Sequence, residues 1–269
     1  MQYFFAIIAG LIQGITEFLP ISSSGHLIIF HDLFRFNLPD DSFFDVMLHL
    51  GTFLALLLIF WRDIEKIIRG FFSSLFNWNW SNNYNQRLSW LVIIGIIPAI
   101  VAGYFLDDLI TNNLRSDLIV AIMLIIVGVL FFVVEKKSVK NLELQSLKPK
   151  SALLIGLAQA LALIPGTSRS GITIIAGLCQ KMKREEAARF SFLLSMPVIL
   201  GAGVKKLIDL SGWSGANWLI MLIGFAAAAI SGYLTVKFLL KFLSKHSLNV
   251  FGWYRIILGL IIIVWVIFR

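Results

Sequence analysis

The chain has 269 residues, of which 58% are hydrophobic and 14% charged, with a mean hydropathy of +0.86. A soluble domain carries roughly 25% charged residues, so these figures exclude an ordinary water-soluble fold and point to an integral membrane protein. The net charge of +8 sits in clusters between apolar segments; that pattern reads as an orientation signal and makes nucleic acid an unsuitable partner.

The first apolar segment, Phe4 to Ile15, is twelve residues. As a helix it would span only about 18 Å. It lacks a basic leader and runs into Glu17, so it does not read as a secretory signal. A polar loop follows at 20–25 and then a short apolar return, HLIIF. Runs long enough to cross about 30 Å of hydrocarbon follow near 43–61, 89–106 and 117–134. A second short segment, Ala152 to Ile164, is followed by the polar loop 165–171 and the return ITIIAGL. Three more long runs lie near 187–204, 217–236 and 250–268. The runs do not alternate, which excludes a barrel. The single cysteine, Cys179, excludes an internal disulfide.

The expected fold is all-α: six transmembrane helices plus two re-entrant helical hairpins. LIQGITEFLPISSSG at 11–25 aligns with LAQALALIPGTSRSG at 157–171, so the two halves read as a repeat. Each half holds one hairpin and three crossings. Three is odd, so the second half must be inverted and the hairpins must meet at mid-membrane. The expected organisation is one polytopic domain, with repeat 1 at about 1–136, a cytoplasmic linker at about 137–150 and repeat 2 at about 151–269.

Sixteen of the 23 Lys and Arg residues fall on one side of these crossings, from Arg62 through Lys140 and Arg184 to Lys245. Arg35, Arg115, Lys205, Lys206 and Arg269 fall on the other, beside Asp40, Asp41, Asp107, Asp108, Asp117 and Asp209. The richer side is expected to be cytoplasmic. The segment NWNWSNNYNQ at 77–86 reads as an interfacial loop, and the small residues of AISGY at 229–233 permit a homodimer.

Irregular backbone at membrane depth is tolerated where it is buried in protein or lines a wet cavity, so two polar turns predict one cavity. Ser22, Ser23, Ser24 and Gly25 precede one return helix; Ser168, Arg169, Ser170 and Gly171 precede the other. Hydroxyls and free N–H groups at a helix start form an anion site, although a serine there can also be a plain N-cap. Arg169 adds a planar fork matched to phosphate oxygens, with a structural pairing to Glu17 as its alternative role. Gln13 and Glu17 share a helix face. A carboxylate beside bound phosphate calls for a cation, and Mg²⁺ takes carboxylate and phosphate oxygens, with Ca²⁺ as an alternative. Glu17 would then be the metal ligand, or else a general base. His26 can also move a proton near neutral pH. His31, His49 and His246 read as interfacial or structural.

QGITEFLPISSSGH at 13–26 and PGTSRSGIT at 165–173, with FSFLLSMP at 190–197, resemble the signature segments of the undecaprenyl-diphosphate phosphatase family, bacterial enzymes linked to bacitracin resistance. The resemblance implies divalent-cation-dependent hydrolysis of a polyprenyl diphosphate lipid to the monophosphate and inorganic phosphate, in the bacterial inner membrane, with the site open to the outer face. It places the acidic motif on Gln13 and Glu17 and the serine-histidine segment on Ser22, Ser23 and His26. The arginine motif falls on Pro165, Gly166, Ser168, Arg169, Ser170 and Thr173. The family accepts Glu or Gln at the first acidic position; with Gln13, Glu17 is the principal carboxylate. Ser23 is the candidate nucleophile, with His26 or Glu17 taking its proton; a metal-activated water is the competing scheme. The contrasting class is a secondary transporter or flippase for a phosphate-bearing anion or lipid phosphate, because broken helices in inverted repeats also build carriers.

Overall fold

The computed structural model describes residues 1–34, 41–114, 116–209 and 217–268. Arg35, Asp40, Arg115 and Arg269 lie outside them. Among the described residues the chain is helical: α1 (Gln2–Phe18), α2 (Ser23–Phe34), α3 (Asp41–Phe76), α4 (Tyr84–Asn113), α5 (Asp117–Lys137), α6 (Pro149–Leu161), α7 (Arg169–Cys179), α8 (Arg184–Asp209), α9 (Trp218–Leu243) and α10 (Asn249–Phe268), with a 3₁₀ turn at Leu144–Ser146.

Six of these helices are long and apolar enough to cross a membrane, and they coincide with the six expected crossings. One boundary differs. The first crossing was expected to stop near residue 61, but α3 runs on to Phe76, with a break in helical geometry at Phe60 (φ −102°, ψ 15°). The charged residues beyond Trp61 do not end the helix, because four-residue spacing lets Arg69 pair with Glu65 at 2.6 Å along a water-exposed face. The helices α1, α2, α6 and α7 are all shorter than 18 residues. The return helices also start earlier than expected, at Ser23 and Arg169.

The short helices pack through small residues. α1 lies against α9 and α6 against α4. A Cβ at Gly14 would come within 2.0 Å of Ser231 Oγ on α9, and one at Gly156 within 2.3 Å of the Gly95 carbonyl on α4. Side chains larger than hydrogen would force these pairs apart. Ser231 and Gly232, read above as a face for a second copy, are consumed here: Ser231 is buried, and Gly232 lies against Phe18.

The basic clusters converge as their spacing implied. Arg184 makes a two-pronged contact with Glu135 (2.8 and 2.7 Å), Lys140 also meets Glu135, and Arg189 reaches Asp63 at 3.0 Å. These residues come from α3 just beyond its break at Phe60, the end of α5, the loop after it and the start of α8. They mark one end of the bundle. In the 77–83 loop, Trp78 stacks on Trp80 and tilts against Trp90, as suits an aromatic interface segment.

Close backbone approach makes Gly156 sensitive. Gly156→Leu should destabilise the protein by about 1–3 kcal/mol, the usual cost of overpacking. Gly103→Leu, at a position where an added Cβ meets nothing within 4 Å, should be near neutral. Thermal unfolding of both variants in one detergent checks this; equal shifts would refute the packing argument.

Candidate active site

The site is built on two turns of the same local design. Ser22 (φ 78°) and Ser168 (φ 68°) both hold left-handed backbone conformations, which are costly for a non-glycine residue and persist where the surroundings over-determine them. Each caps the helix that follows: Ser22 Oγ accepts from Gly25 N–H at 3.4 Å, and Ser168 Oγ from Gly171 N–H at 3.1 Å. Each also lies close to the hydroxyl two residues on, Ser24 at 3.3 Å and Ser170 at 3.2 Å. The next residue in each turn, Ser23 or Arg169, therefore opens its helix from an equivalent position.

Both of those residues reach Glu17. Ser23 Oγ donates to Glu17 Oε2 at 2.6 Å, and Arg169 Nη2 donates to Glu17 Oε1 at 2.5 Å. Gln13, one turn back on α1, donates from Nε2 to Oε2 at 3.0 Å. His49 Nε2 stands 3.8 Å from the same oxygen. The pairing of Arg169 with Glu17 is thus present, yet it engages one nitrogen only: Arg169 Nη1 is buried with no hydrogen-bond partner. An orphaned donor in a buried site is a signal of a functional role.

These groups line a cavity of about 440 Å³. Its lining combines the polar groups Glu17, Ser22, Ser23, Ser24, Ser168 and Arg169, with Asp45 and His49 of α3, and apolar atoms of Val198, Ile199, Ala202 and Gly203 of α8. A lining both polar and apolar suits an amphiphile with a charged head. Among the described residues no three metal-ligating side chains are gathered. The site offers oxygens instead: the Glu17 carboxylate and Asp45 line the cavity, and Gln13 Oε1 is buried behind Glu17 without a hydrogen-bond partner. That set fits a hard cation that takes one or two carboxylates, water and substrate phosphate.

The remaining expected site residues stand behind the cavity wall. His26 Nδ1–H donates to the Ser22 carbonyl and Nε2 accepts from Tyr254 O–H, each at 2.7 Å. Its two ring nitrogens are therefore occupied, and it is Glu17 that contacts Ser23. Ser170 Oγ donates to the Leu19 carbonyl at 3.3 Å, tying the second turn to the first. Thr173 bonds the Arg169 carbonyl at 2.7 Å and Ser191 at 2.6 Å, fixing α7 on α8. Gly166 (φ 87°) is held where a Cβ would meet the Val120 carbonyl at 2.5 Å.

Three groups near the site escape the sequence reading. His49, read there as interfacial or structural, faces Glu17; its Nδ1–H donates to the Asp45 carbonyl at 2.8 Å, which turns Nε2 toward the site. The signal was an aspartate and a histidine four residues apart in an otherwise apolar run. Tyr254 and Arg255 come from α10, far from either motif. Arg255 is fully buried in a span counted only as a crossing, and a charge inside such a span is itself a functional signal. His246, by contrast, stacks on Phe242 at one end of the bundle and bonds that residue's carbonyl, while the side chain of His31 lies outside the described residues.

A hydroxyl on a carboxylate, an arginine with a spare donor and two capped turns thus come together inside a helical bundle with six helices able to cross a membrane. Residues 6–261 match the family model described as bacitracin resistance protein BacA. The chain is 44% identical to the undecaprenyl-diphosphatase of Halothermothrix orenii over 266 residues, 98% of each chain. It is 39% identical to that of Desulforudis audaxviator over the whole of both chains, and 43% identical to that of Alcanivorax borkumensis over 98% of this chain and 99% of the relative. The protein belongs to the BacA family.

Removing one partner of a buried pair strands the other charge, at a cost of about 3–5 kcal/mol. Glu17→Gln should lower stability on that scale. Glu17→Gln combined with Arg169→Met should recover part of the loss. Chemical or thermal unfolding of the two single variants and the double variant tests the coupling; strictly additive losses would show that the pair is not coupled.

Proposed function

We propose that this protein is a membrane-embedded phosphatase that hydrolyses undecaprenyl diphosphate to undecaprenyl phosphate and inorganic phosphate, with the diphosphate seated between the two turns. Family membership carries the activity. The observation that carries its location is Arg169 Nη1, a buried donor without a partner at the wall of the cavity that holds Ser23 and Glu17.

The chemistry is in-line displacement at the terminal phosphorus, where catalysis rests on positioning and charge stabilisation. Ser23 Oγ attacks and passes its proton to Glu17. An Oγ–P bond forms, the bridging P–O bond breaks, and undecaprenyl phosphate leaves. Water then hydrolyses the phosphoserine and releases inorganic phosphate. The 2.6 Å Ser23–Glu17 hydrogen bond supports this pairing of nucleophile and base. Arg169 and the N–H groups that open α2 and α7 hold the equatorial oxygens. Incoming phosphate oxygens compete for the guanidinium, which loosens its hold on Glu17 as the carboxylate takes the proton. His26, fixed by Tyr254, keeps the Ser22 turn in place.

Glu17, with Asp45 and Gln13 Oε1 nearby, would hold Mg²⁺ or Ca²⁺; the cation would offset the charge on the diphosphate. Equivalent serine caps in the two turns, and the matched packing of α1 on α9 and α6 on α4, support an inverted repeat. In that reading α1–α2 and α6–α7 are re-entrant hairpins that meet at mid-membrane. The prenyl chain lies in the bilayer along the apolar part of the lining. Access from the outer face of the bacterial plasma membrane would return the spent carrier to cell-wall synthesis.

Phosphate release by purified protein in detergent tests the activity, because a transporter releases none without a membrane; absence of release would favour the carrier reading. Arg169→Ala should lower release by about a hundredfold or more, the scale of losing one electrostatic contributor. Arg169→Lys should recover little, since the fork is lost. Ser23→Ala should be nearly inactive; retention of a tenth of the rate or more would shift the attack to water. Excess EDTA should abolish release and added Mg²⁺ or Ca²⁺ restore it, whereas full activity in EDTA would remove the cation from the scheme.

A further inference from the structure

Among the described residues Arg255 is the largest side chain that is fully buried, at 0% exposure. Among the described residues no carboxylate pairs with it: its hydrogen bonds run to backbone carbonyls, and these belong to three separate segments. Nη1 donates to the Pro20 carbonyl at 3.1 Å, in the first turn. Nη2 donates to the carbonyls of Gly166 at 2.8 Å and Thr167 at 3.0 Å, in the second turn, and to Met123 at 3.3 Å. Nε donates to Leu124 at 3.3 Å, which anchors the fork on α5.

A cation at this depth is costly unless every donor is used, and here the donors are spent on the backbone just ahead of Ser22 and Ser168. Both serines hold left-handed conformations, as does Gly166, whose carbonyl is one of those that Arg255 grips. Strained turns of this kind last only when something external fixes them. A single planar guanidinium that grips both at once would fix the offset of one turn against the other.

We propose that Arg255 is a positioning residue of the phosphatase reaction: by clamping the Pro20 and Gly166–Thr167 carbonyls together it sets the distance of Ser23 and Arg169 from Glu17. It does not touch substrate, since no part of it reaches the cavity surface. Its neighbour Tyr254 reinforces the same design by bonding His26 at 2.7 Å, so α10 braces the site through two consecutive residues. This inference rests on the phosphatase reading for its kinetic readout only; the contact between the turns stands without it.

The test uses full-length protein in detergent, with rates normalised to the folded, monodisperse fraction. Arg255→Gln should lower kcat on the order of a hundredfold, the penalty for misplacing reacting groups by about 1 Å, and should change KM less than about threefold, because the prenyl chain and head group still bind. Arg255→Lys, which keeps the charge but cannot span three segments, should recover less than a tenth of the rate. In an Arg169→Ala background the further loss from Arg255→Gln should be clearly smaller than in the wild-type background, since one of the two groups it positions is gone. Wild-type kcat in either folded variant, full multiplication of the two losses, or failure of both Arg255 variants to yield folded protein would overturn the assignment and leave Arg255 a folding residue. Wild-type protein that releases no phosphate would instead sink the phosphatase reading.

Discussion

A carboxylate and a guanidinium taken out of water together hold the two halves of this chain at one point. Glu17 and Arg169 lie 152 positions apart and meet at 2.5 Å. Neither charge is tolerable alone in a medium that cannot solvate it, so the pair dictates that the end of α1 and the start of α7 must meet. The rest of the site follows from that meeting. Ser23 arrives because its turn is built like the one that delivers Arg169, and Gln13 arrives because it lies one turn below Glu17 on the same helix.

The same constraint explains why small residues cluster in the short helices. Short helices that end inside the bundle bring irregular backbone into the protein interior, and each buried N–H or carbonyl there must find a partner. Gly14 and Gly156 let α1 and α6 press against α9 and α4 at backbone distance, and the serines cap α2 and α7 with their own hydroxyls. Tight packing and local capping are two solutions to one problem of unsatisfied backbone.

Chemistry then uses what folding leaves over. Arg169 satisfies Glu17 with one nitrogen and keeps the other without a partner; a group serving structure alone would be expected to engage both. Val198, Ile199, Ala202 and Gly203 of α8 give the same cavity an apolar part. A lipid diphosphate likewise joins charge to hydrocarbon.

The local and near-local features were readable from residue order. Six runs of apolar residues marked six helices because crossing hydrocarbon demands length and hydrophobicity, both properties of a continuous segment. Gln13, Glu17, the serines and Arg169 were legible because helix spacing and cap chemistry act over a few residues. What only the tertiary structure decided is which distant groups meet: His49 beside Glu17, Tyr254 on His26, Arg255 across both turns, and Ser231 and Gly232 turned inward against α1. These depend on how α3, α9 and α10 pack around the turns. Packing arises from shape fit over many weak contacts, none of which leaves a mark at a fixed spacing along the chain.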